Sequence, residues 1–351
     1  MLVQDTYVSG LGVHLPAART VASAVAAGEC TPAEGAATGI TSATVAGDLS
    51  AAEMALLAAQ DAVKQSGTAP GDYAALLFAG VWHQAPDGWD PQFYLQRHLI
   101  GDDLLSVGIR NGCSGTFSGI ELAIGMLASH PDRRAAMVVA SDNFGTPLIR
   151  RWSPGGGFSV LGDGASALVL TREPGFLQLR SICTTSFSAM EEAHRAGEPL
   201  FPPSATVGRT LDFGARFEAY QREVVAAGSG TEMMIRHQQR SMECASRALA
   251  DAGLRVGDIR RVITHNIARD EAKAYLGMLG FALRQSTWDH GSTVGHVGAS
   301  DHAIGLHHLL STGAVRPGDH LLLCGFSPGI TYKAAVVQVL DVPSWAGPTG
   351  S

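Results

Sequence analysis

Uninterrupted apolar runs of strand length alternate along the chain with stretches whose apolar residues recur at helical spacing. Ala74–Gly80, Leu105–Ile109, Ala135–Ala140 and Ala165–Leu170 are the runs in the first half. Continuous rather than alternating hydrophobicity predicts strands covered on both faces. Between them, Ser50–Gln65 spaces Met54, Leu57, Ala58 and Val63 for a helix, and Ser50 with Glu53 three residues on forms a capping box. Thr116–Ser129 predicts a second helix with Phe117, Ile120, Ile124 and Leu127 on one face. Asp5–Leu15 predicts a short strand that turns at Gly10 and Gly12. Strands alternating with helices define an α/β architecture.

The second half repeats the scheme. Helices are predicted over Glu232–Ala252, Arg269–Gly280 and Gly298–Leu310, and strands over Arg261–Thr264, His320–Cys324 and Ala334–Leu340. In both halves two buried strands flank a Gly-rich turn, Ala135–Leu170 in the first and His320–Leu340 in the second. This weak duplication predicts two similar halves, 1–171 and 172–351, with the polar stretch Thr171–Gly175 at the switch. Ser186–Ala227 lacks periodicity and carries several Pro and Gly, so it reads as an insertion covering the site rather than core.

Composition narrows the function. The 351 residues are 46% hydrophobic and 16% charged, which suits a large buried core and excludes a disordered chain. A net charge of −7 argues against a nucleic-acid partner. The N-terminus shows no signal peptide, and no apolar run is long enough to span a membrane. Five widely spaced cysteines with no CxxC fit a reducing cytoplasm and exclude a disulfide framework or zinc ribbon.

Four of those cysteines read as small buried hydrophobes. Cys113 differs, because Arg110-Asn111-Gly112-Cys113-Ser114-Gly115 joins a predicted strand to a predicted helix. A thiol there sits at a helix N-terminus, where the macrodipole favours thiolate. A thiolate nucleophile needs a base and an oxyanion site. His265 ends a strand, followed by Asn266, and His296 opens a Gly-rich loop that reaches Asp301 within five residues. Asp301 is placed to orient the His296 imidazole as third member of a triad. A metal site from His290, His296 and His302 is conceivable, but their six-residue spacing matches no helical face, so no metal is expected. The turn Phe326–Thr331 offers a backbone N–H to pair with that of Cys113. No dinucleotide fingerprint or P-loop occurs.

Together these residues resemble the thiolase superfamily, and within it the ketoacyl-ACP synthase III branch. The resemblance runs over nearly the whole chain, through the Cys113 turn, Gly162-Asp163-Gly164 and the C-terminal Gly-rich turn. It implies a five-layered αβαβα fold and a homodimer. It further implies a Cys that takes an acyl group from CoA or an acyl carrier protein, with no bound cofactor beyond that thioester. Gly329 matches the family's oxyanion donor, with Asn266 as a further oxyanion or substrate contact. The condensing enzymes carry His-Gln-Ala-Asn on one loop and Gly-Asn-Thr-Ser on another. Here the loops read His265-Asn266-Ile267-Ala268 and Gly295-His296-Val297-Gly298, so the second loop's Asn is a His. Gly-His-x-Gly-Ala-x-Asp, with Arg151-Trp152-Ser153 upstream, is similar to the acyltransferases of antibiotic pathways. Those enzymes move an acyl group onto a hydroxyl or amine of a sugar, cyclitol or related small molecule. The expectation is therefore acyl transfer through Cys113, His296 and Asp301, with His265 either assisting the oxyanion or a remnant. A decarboxylating ketosynthase is the alternative, and a catalytically silent partner subunit is a third reading that an intact Cys113 opposes. An acidic chain needs a local basic patch to receive an acidic carrier protein, for which Arg260, Arg261 and Arg269 are candidates.

Overall fold

A computed structural model describes residues 1–347 apart from Gly156, Ser204 and Pro328. The first half runs β1 (Tyr7–His14), β2 (Ala18–Thr20), α1 (Val21–Ala26), α2 (Pro32–Ala37), β3 (Ser42–Thr44), α3 (Ala51–Ser66), β4 (Tyr73–Ala79), α4 (Pro91–Leu99), β5 (Leu105–Ile109), α5 (Gly115–Ser129), β6 (Ala135–Asp142) and β7 (Gly164–Thr171). The second runs β8 (Leu177–Ser186), α6 (Phe213–Ala226), α7 (Gly230–Asp251), β9 (Ile259–Ile263), α8 (Arg269–Met278), α9 (Trp288–Val294), α10 (Asp301–Ser311), β10 (His320–Ser327) and β11 (Thr331–Val339). No helix among the described residues is long and apolar enough to cross a membrane.

The strand order is β5-β4-β6-β7-β1-β8-β11-β10-β9. It divides at β1 and β8, which share only the pairs Tyr7–Gln178 and Val8–Leu177. On either side the pairing is the same. β4–β6 and β9–β10 are parallel, while β6–β7, β10–β11, β1–β7 and β8–β11 are antiparallel. β5 extends the first half in parallel on β4, and in the second half its counterpart is reduced to one parallel bridge, Val262–Ser286.

The apolar runs explain the layers. Alternate residues of one strand feed two different cores, as continuous hydrophobicity requires. In β6, Ala136, Val138 and Ala140 join a central core with Phe117 and Ile120 of α5 and Ala303, Leu306 and Leu309 of α10. Ala135, Met137 and Val139 face outward onto Met54, Ala58 and Ala62 of α3. In β10, Leu321 and Leu323 face the same central core, while Leu322 and Cys324 face Cys244 and Ala248 of α7. The result is helix, sheet, helix, sheet, helix, with α5 and α10 in the middle layer.

Two sequence expectations change. β1 continues through Gly10 and Gly12 without turning, with only a register shift between Val8 and Gly10. A Cβ on either would lie 2.0 or 1.8 Å from the carbonyl oxygen of Ala62 or Ala58, so these glycines let α3 pack its backbone directly on the strand. The stretch 186–227 is not wholly outside the core either. Phe187, Met190, Ala193 and Tyr220 are buried with α7, because α6 folds back onto that outer layer. The capping box of α3 forms as predicted, Glu53 N–H to Ser50 Oγ at 3.2 Å and Ser50 N–H to Glu53 Oε2 at 2.9 Å.

Candidate active site

Both middle-layer helices begin the same way. Gly112 and Gly298 adopt φ of +50° and +55°, a left-handed backbone that favours glycine. Each is the first residue of a tight 3-10 turn that runs into α5 or α10. The first turn presents Cys113 and the second leads to Asp301. Thr116 Oγ1 donates to Ala299 O at 2.7 Å and ties the two turns together. β10 and β11 close against the Cys113 turn.

The turns meet in a hydrogen-bonded line. His296 Nε2 lies 2.9 Å from Cys113 Sγ, and His296 Nδ1 lies 2.5 Å from Asp301 Oδ2. Cys113 is half-buried, and His296 and Asp301 are buried. Asp301 is held from three further directions, by the N–H of Val297 at 2.8 Å, the N–H of Asn266 at 2.8 Å and Asn266 Nδ2 at 3.2 Å. Burial by itself would lower the His296 pKa, but the negative charges of Cys113 and Asp301 outweigh it and raise it well above the usual imidazole value. Burial would likewise raise Asp301, yet the facing imidazoles carry its pKa below the carboxylate range. The array therefore favours an imidazolium at His296, between the Asp301 carboxylate and the Cys113 sulfur.

The other sequence candidates take different places. His265 is buried beside the array, Nδ1 3.7 Å from Asp301 Oδ2, too far for a hydrogen bond. Neither of its ring nitrogens has a hydrogen-bond partner, and burial lowers its pKa. It fills the space a side chain at 325 would need, since a Cβ on Gly325 would lie 2.4 Å from its Nε2. Asn266, expected as an oxyanion or substrate contact, commits its amide to Gly295 O at 2.8 Å and to Asp301, so it supports the carboxylate. Gly329 sits in the turn between β10 and β11 with φ +113°, and Pro328 of that turn lies outside the described residues. His290 stacks on His308 at 3.9 Å, and His302 Nε2 donates to Cys324 O at 3.0 Å, so neither joins His296 in a ligand set. His265, His296 and Asp301 do converge, but His296 Nδ1 and Asp301 Oδ2 are already hydrogen-bonded to each other. Of the basic trio, Arg261 donates to Arg284 O and Arg269 lies 5.9 Å over the Trp288 ring.

The Arg151-Trp152-Ser153 and Gly162-Asp163-Gly164 motifs form the clamp behind His296. Arg151 makes two bonds to fully buried Asp163, at 2.7 and 2.8 Å. Asp163 also accepts from the N–H of Ala46 and Phe144. The clamped loop pairs with the backbone of His296, His296 N–H to Val160 O at 2.8 Å and Gly162 N–H to His296 O at 2.9 Å. A Cβ on Gly162 would strike Val294 O at 2.3 Å, so only glycine permits this approach. Sequence reading singled out the motifs but not this role. It gave no role to Phe158 or to the Phe326 ring, which pack edge-on to each other at 6.2 Å and to His296 and His265 at 6.4 and 6.3 Å.

Comparison with known proteins places the chain in a family. The family models for 3-oxoacyl-[acyl-carrier-protein] synthase III match residues 107–186, and for its C-terminal part residues 249–339. The solved structure of ChlB3, titled an acyltransferase, is 43% identical, covers 97% of this chain and 99% of its own, and superposes with a TM-score of 0.90. The chain belongs to the ketoacyl-ACP synthase III-like family. A Streptomyces coelicolor relative named beta-ketoacyl-[acyl-carrier-protein] synthase III 3 is 25% identical over 292 residues, 81% of this chain and 82% of its own. The synthase III structure from Aquifex aeolicus shares the fold at 19% identity, 95% and 99% coverage and a TM-score of 0.70. Family membership and fold make this an acyl-transferring or condensing enzyme with a thiolase-like architecture. The family takes its acyl groups from carrier-protein or CoA thioesters.

Proposed function

We propose that the protein moves an acyl group from a carrier-protein or CoA thioester onto Cys113, and from there to a hydroxyl or amine of a sugar, cyclitol or related natural-product intermediate. The carrying observation is the line Cys113 Sγ, His296 Nε2, His296 Nδ1, Asp301 Oδ2, with contacts of 2.9 and 2.5 Å. Cys113 thiolate attacks the thioester carbonyl, and the N–H groups of Cys113 and Gly329 receive the oxyanion. As the intermediate collapses, the carbon–sulfur bond of the donor breaks and the His296 imidazolium gives its proton to the departing thiolate. Acylation removes the thiolate charge that held His296 protonated, so the now neutral imidazole takes the acceptor's proton as its oxygen or nitrogen attacks. Collapse of the second intermediate returns thiolate and imidazolium. Asp301 fixes the Nδ1–H tautomer throughout.

An asparagine in place of His296 has no basic nitrogen to take that proton. This is why the array supports acyl transfer over decarboxylative condensation, although His265 is retained. We propose a homodimer as the assembly, as the resemblance implies. The test is a two-stage experiment. The enzyme is charged with a radiolabelled acyl thioester, the adduct is located by peptide mass, and an amino sugar such as glucosamine is then added. Label on Cys113 that passes to glucosamine supports the reading. Label that stays on Cys113 until a malonyl thioester is added, with release of carbon dioxide, overturns it.

A further inference from the structure

The hairpin of β10 and β11 carries the Gly329 turn at its tip. On its face toward the middle layer, Leu323 and Ala335 belong to the central core. Gly325 on the same face receives the His265 ring, since a Cβ there would lie 2.4 Å from His265 Nε2. The residue paired with Gly325 across the hairpin is Lys333, and on its other side Lys333 pairs with Thr184 of β8. The Lys333 side chain is only 3% exposed. A cation thus stands in line with core residues beside the site, and the mechanism above gives it no part.

Its partners lie on different elements. Lys333 Nζ donates to Glu121 Oε2 at 2.6 Å and to Thr184 Oγ1 at 2.8 Å. Thr184 Oγ1 donates in turn to Glu121 Oε1. Glu121 lies on α5, about two turns beyond Cys113. One ammonium therefore joins the helix of the nucleophile, in the first half, to the strand that leaves the Gly329 turn, in the second. The same two elements also meet at the Cys113 turn, against which β10 and β11 close. A helix and a strand held at two separated points cannot pivot about either one.

Stability alone is a poor reason for such a pair. Removing an ammonium from water is costly, and well-packed apolar side chains in place of a buried ion pair are often neutral or stabilising. The best-attested use of a buried polar group is to fix register. Register matters at this place, because the oxyanion forms between N–H groups from the two halves. A misplacement of about 1 Å can cost 10²-fold in rate. Resting on the acyl-transfer reading above, we infer that Lys333 and Glu121 are positioning residues of the reaction, whose ion pair sets the spacing between the Cys113 and Gly329 N–H groups that receive the oxyanion.

Two electrophiles separate this role from a general loss of structure. An acetyl thioester passes through the oxyanion on its way to acyl-Cys113. Iodoacetamide alkylates the same thiolate by displacing iodide and forms no oxyanion. Lys333→Met is expected to lower the acylation rate at saturating thioester by about 10²-fold. The half-saturating thioester concentration should stay within about twofold of the native value, as for an interaction made only in the transition state. The alkylation rate should also stay within about twofold, because it follows the thiolate fraction. Glu121→Gln keeps the shape and removes the charge, and is expected to slow acylation about tenfold. It reads the same ratio should Lys333→Met fail to fold. The double variant is expected to be no slower than Lys333→Met, because the two residues act as one pair. A ratio of acylation to alkylation unchanged from native in the folded single variants, whether both rates hold or both fall, overturns the inference. So do losses that multiply in the double variant. Native enzyme that takes up no acyl group on Cys113 from any thioester would instead remove the acyl-transfer reading, and this inference with it.

Discussion

The turns that open α5 and α10 are built alike and do different work. Gly112-Cys113-Ser114-Gly115 and Gly298-Ala299-Ser300-Asp301 occupy matching places in the two halves, each entered through a left-handed glycine. Cys113 stands where the other turn has Ala299, and the Asp301 carboxylate stands where the first has Gly115. Gly115 has no room for a side chain, because its Cβ would lie 2.7 Å from Ala79 Cβ and 3.4 Å from Ala299 Cβ. Ala299 has none to spare either, being fully buried in the central core. A duplicated scaffold thus places two helix starts side by side, and each half supplies the chemistry the other's packing excludes. The comparison can be broken at either turn, and the effects should differ in kind.

The largest effect belongs to the first turn. Cys113→Ala should abolish acyl-enzyme formation while the thermal unfolding midpoint stays near the native one, as intact mass and a melting curve would show. Next comes the second turn. His296→Ala should lower transfer to an acceptor by about 10²–10⁴, the usual worth of a general base. Acylation should slow as well, because Nε2 touches Sγ. Asp301→Asn should fall in the same range or below, through the wrong tautomer. His265→Ala is expected to matter less, and single-turnover kinetics on all three variants would rank them.

The clamp behind the second turn predicts a stability effect the first turn does not share. Arg151→Ala leaves Asp163 buried without its cation, which should cost about 3–5 kcal/mol in denaturant unfolding. The two glycines give a smaller contrast. Gly112→Ala should carry the left-handed penalty of about 1–2 kcal/mol. Gly298→Ala should cost more than Gly112→Ala, since its Cβ would also lie 2.4 Å from Asp142 Oδ2 and 2.9 Å from Val81 Cγ2.

The pH dependence gives a further contrast. Burial lowers His302 to about 3, and His194 and His290 to about 4. A histidine neutral in the fold and protonated when unfolded makes stability fall as pH drops below its unfolded value, near 6.5. Each such group adds up to about 1.4 kcal/mol per pH unit between its unfolded and folded values. Unfolding free energy should therefore decline from pH 6.5 towards 4, and His302→Gln should flatten that slope by one proton.

Much of this was legible in the sequence where a signal lies within one contiguous stretch. Cys113 in its glycine turn, and His296 with Asp301 five residues on, are local patterns, and the continuous apolar strands announce their two covered faces. What stayed hidden depends on partners far along the chain. α4 carries no apolar stripe, because Gln92 and Gln96 are among its buried residues while Phe93 is exposed. Gly10 and Gly12 look like turn residues until α3 is placed upon them. Asn266 reads as a site residue beside His265, and its amide instead finds Gly295 O and Asp301. The Arg151–Asp163 clamp needs the fold to bring its loop onto the His296 backbone.

The central claim is that His296 serves as the base for an acyl acceptor once Cys113 is charged. Its most direct test is the fate of purified acyl-Cys113 enzyme, native and His296→Ala, mixed in single turnover with glucosamine or with a malonyl carrier protein. The account predicts acylated glucosamine from the native enzyme, a loss of about 10²–10⁴ in that step for His296→Ala, and no carbon dioxide from the malonyl donor. Carbon dioxide with a β-keto product, formed equally by both enzymes while glucosamine stays unmodified, would contradict it.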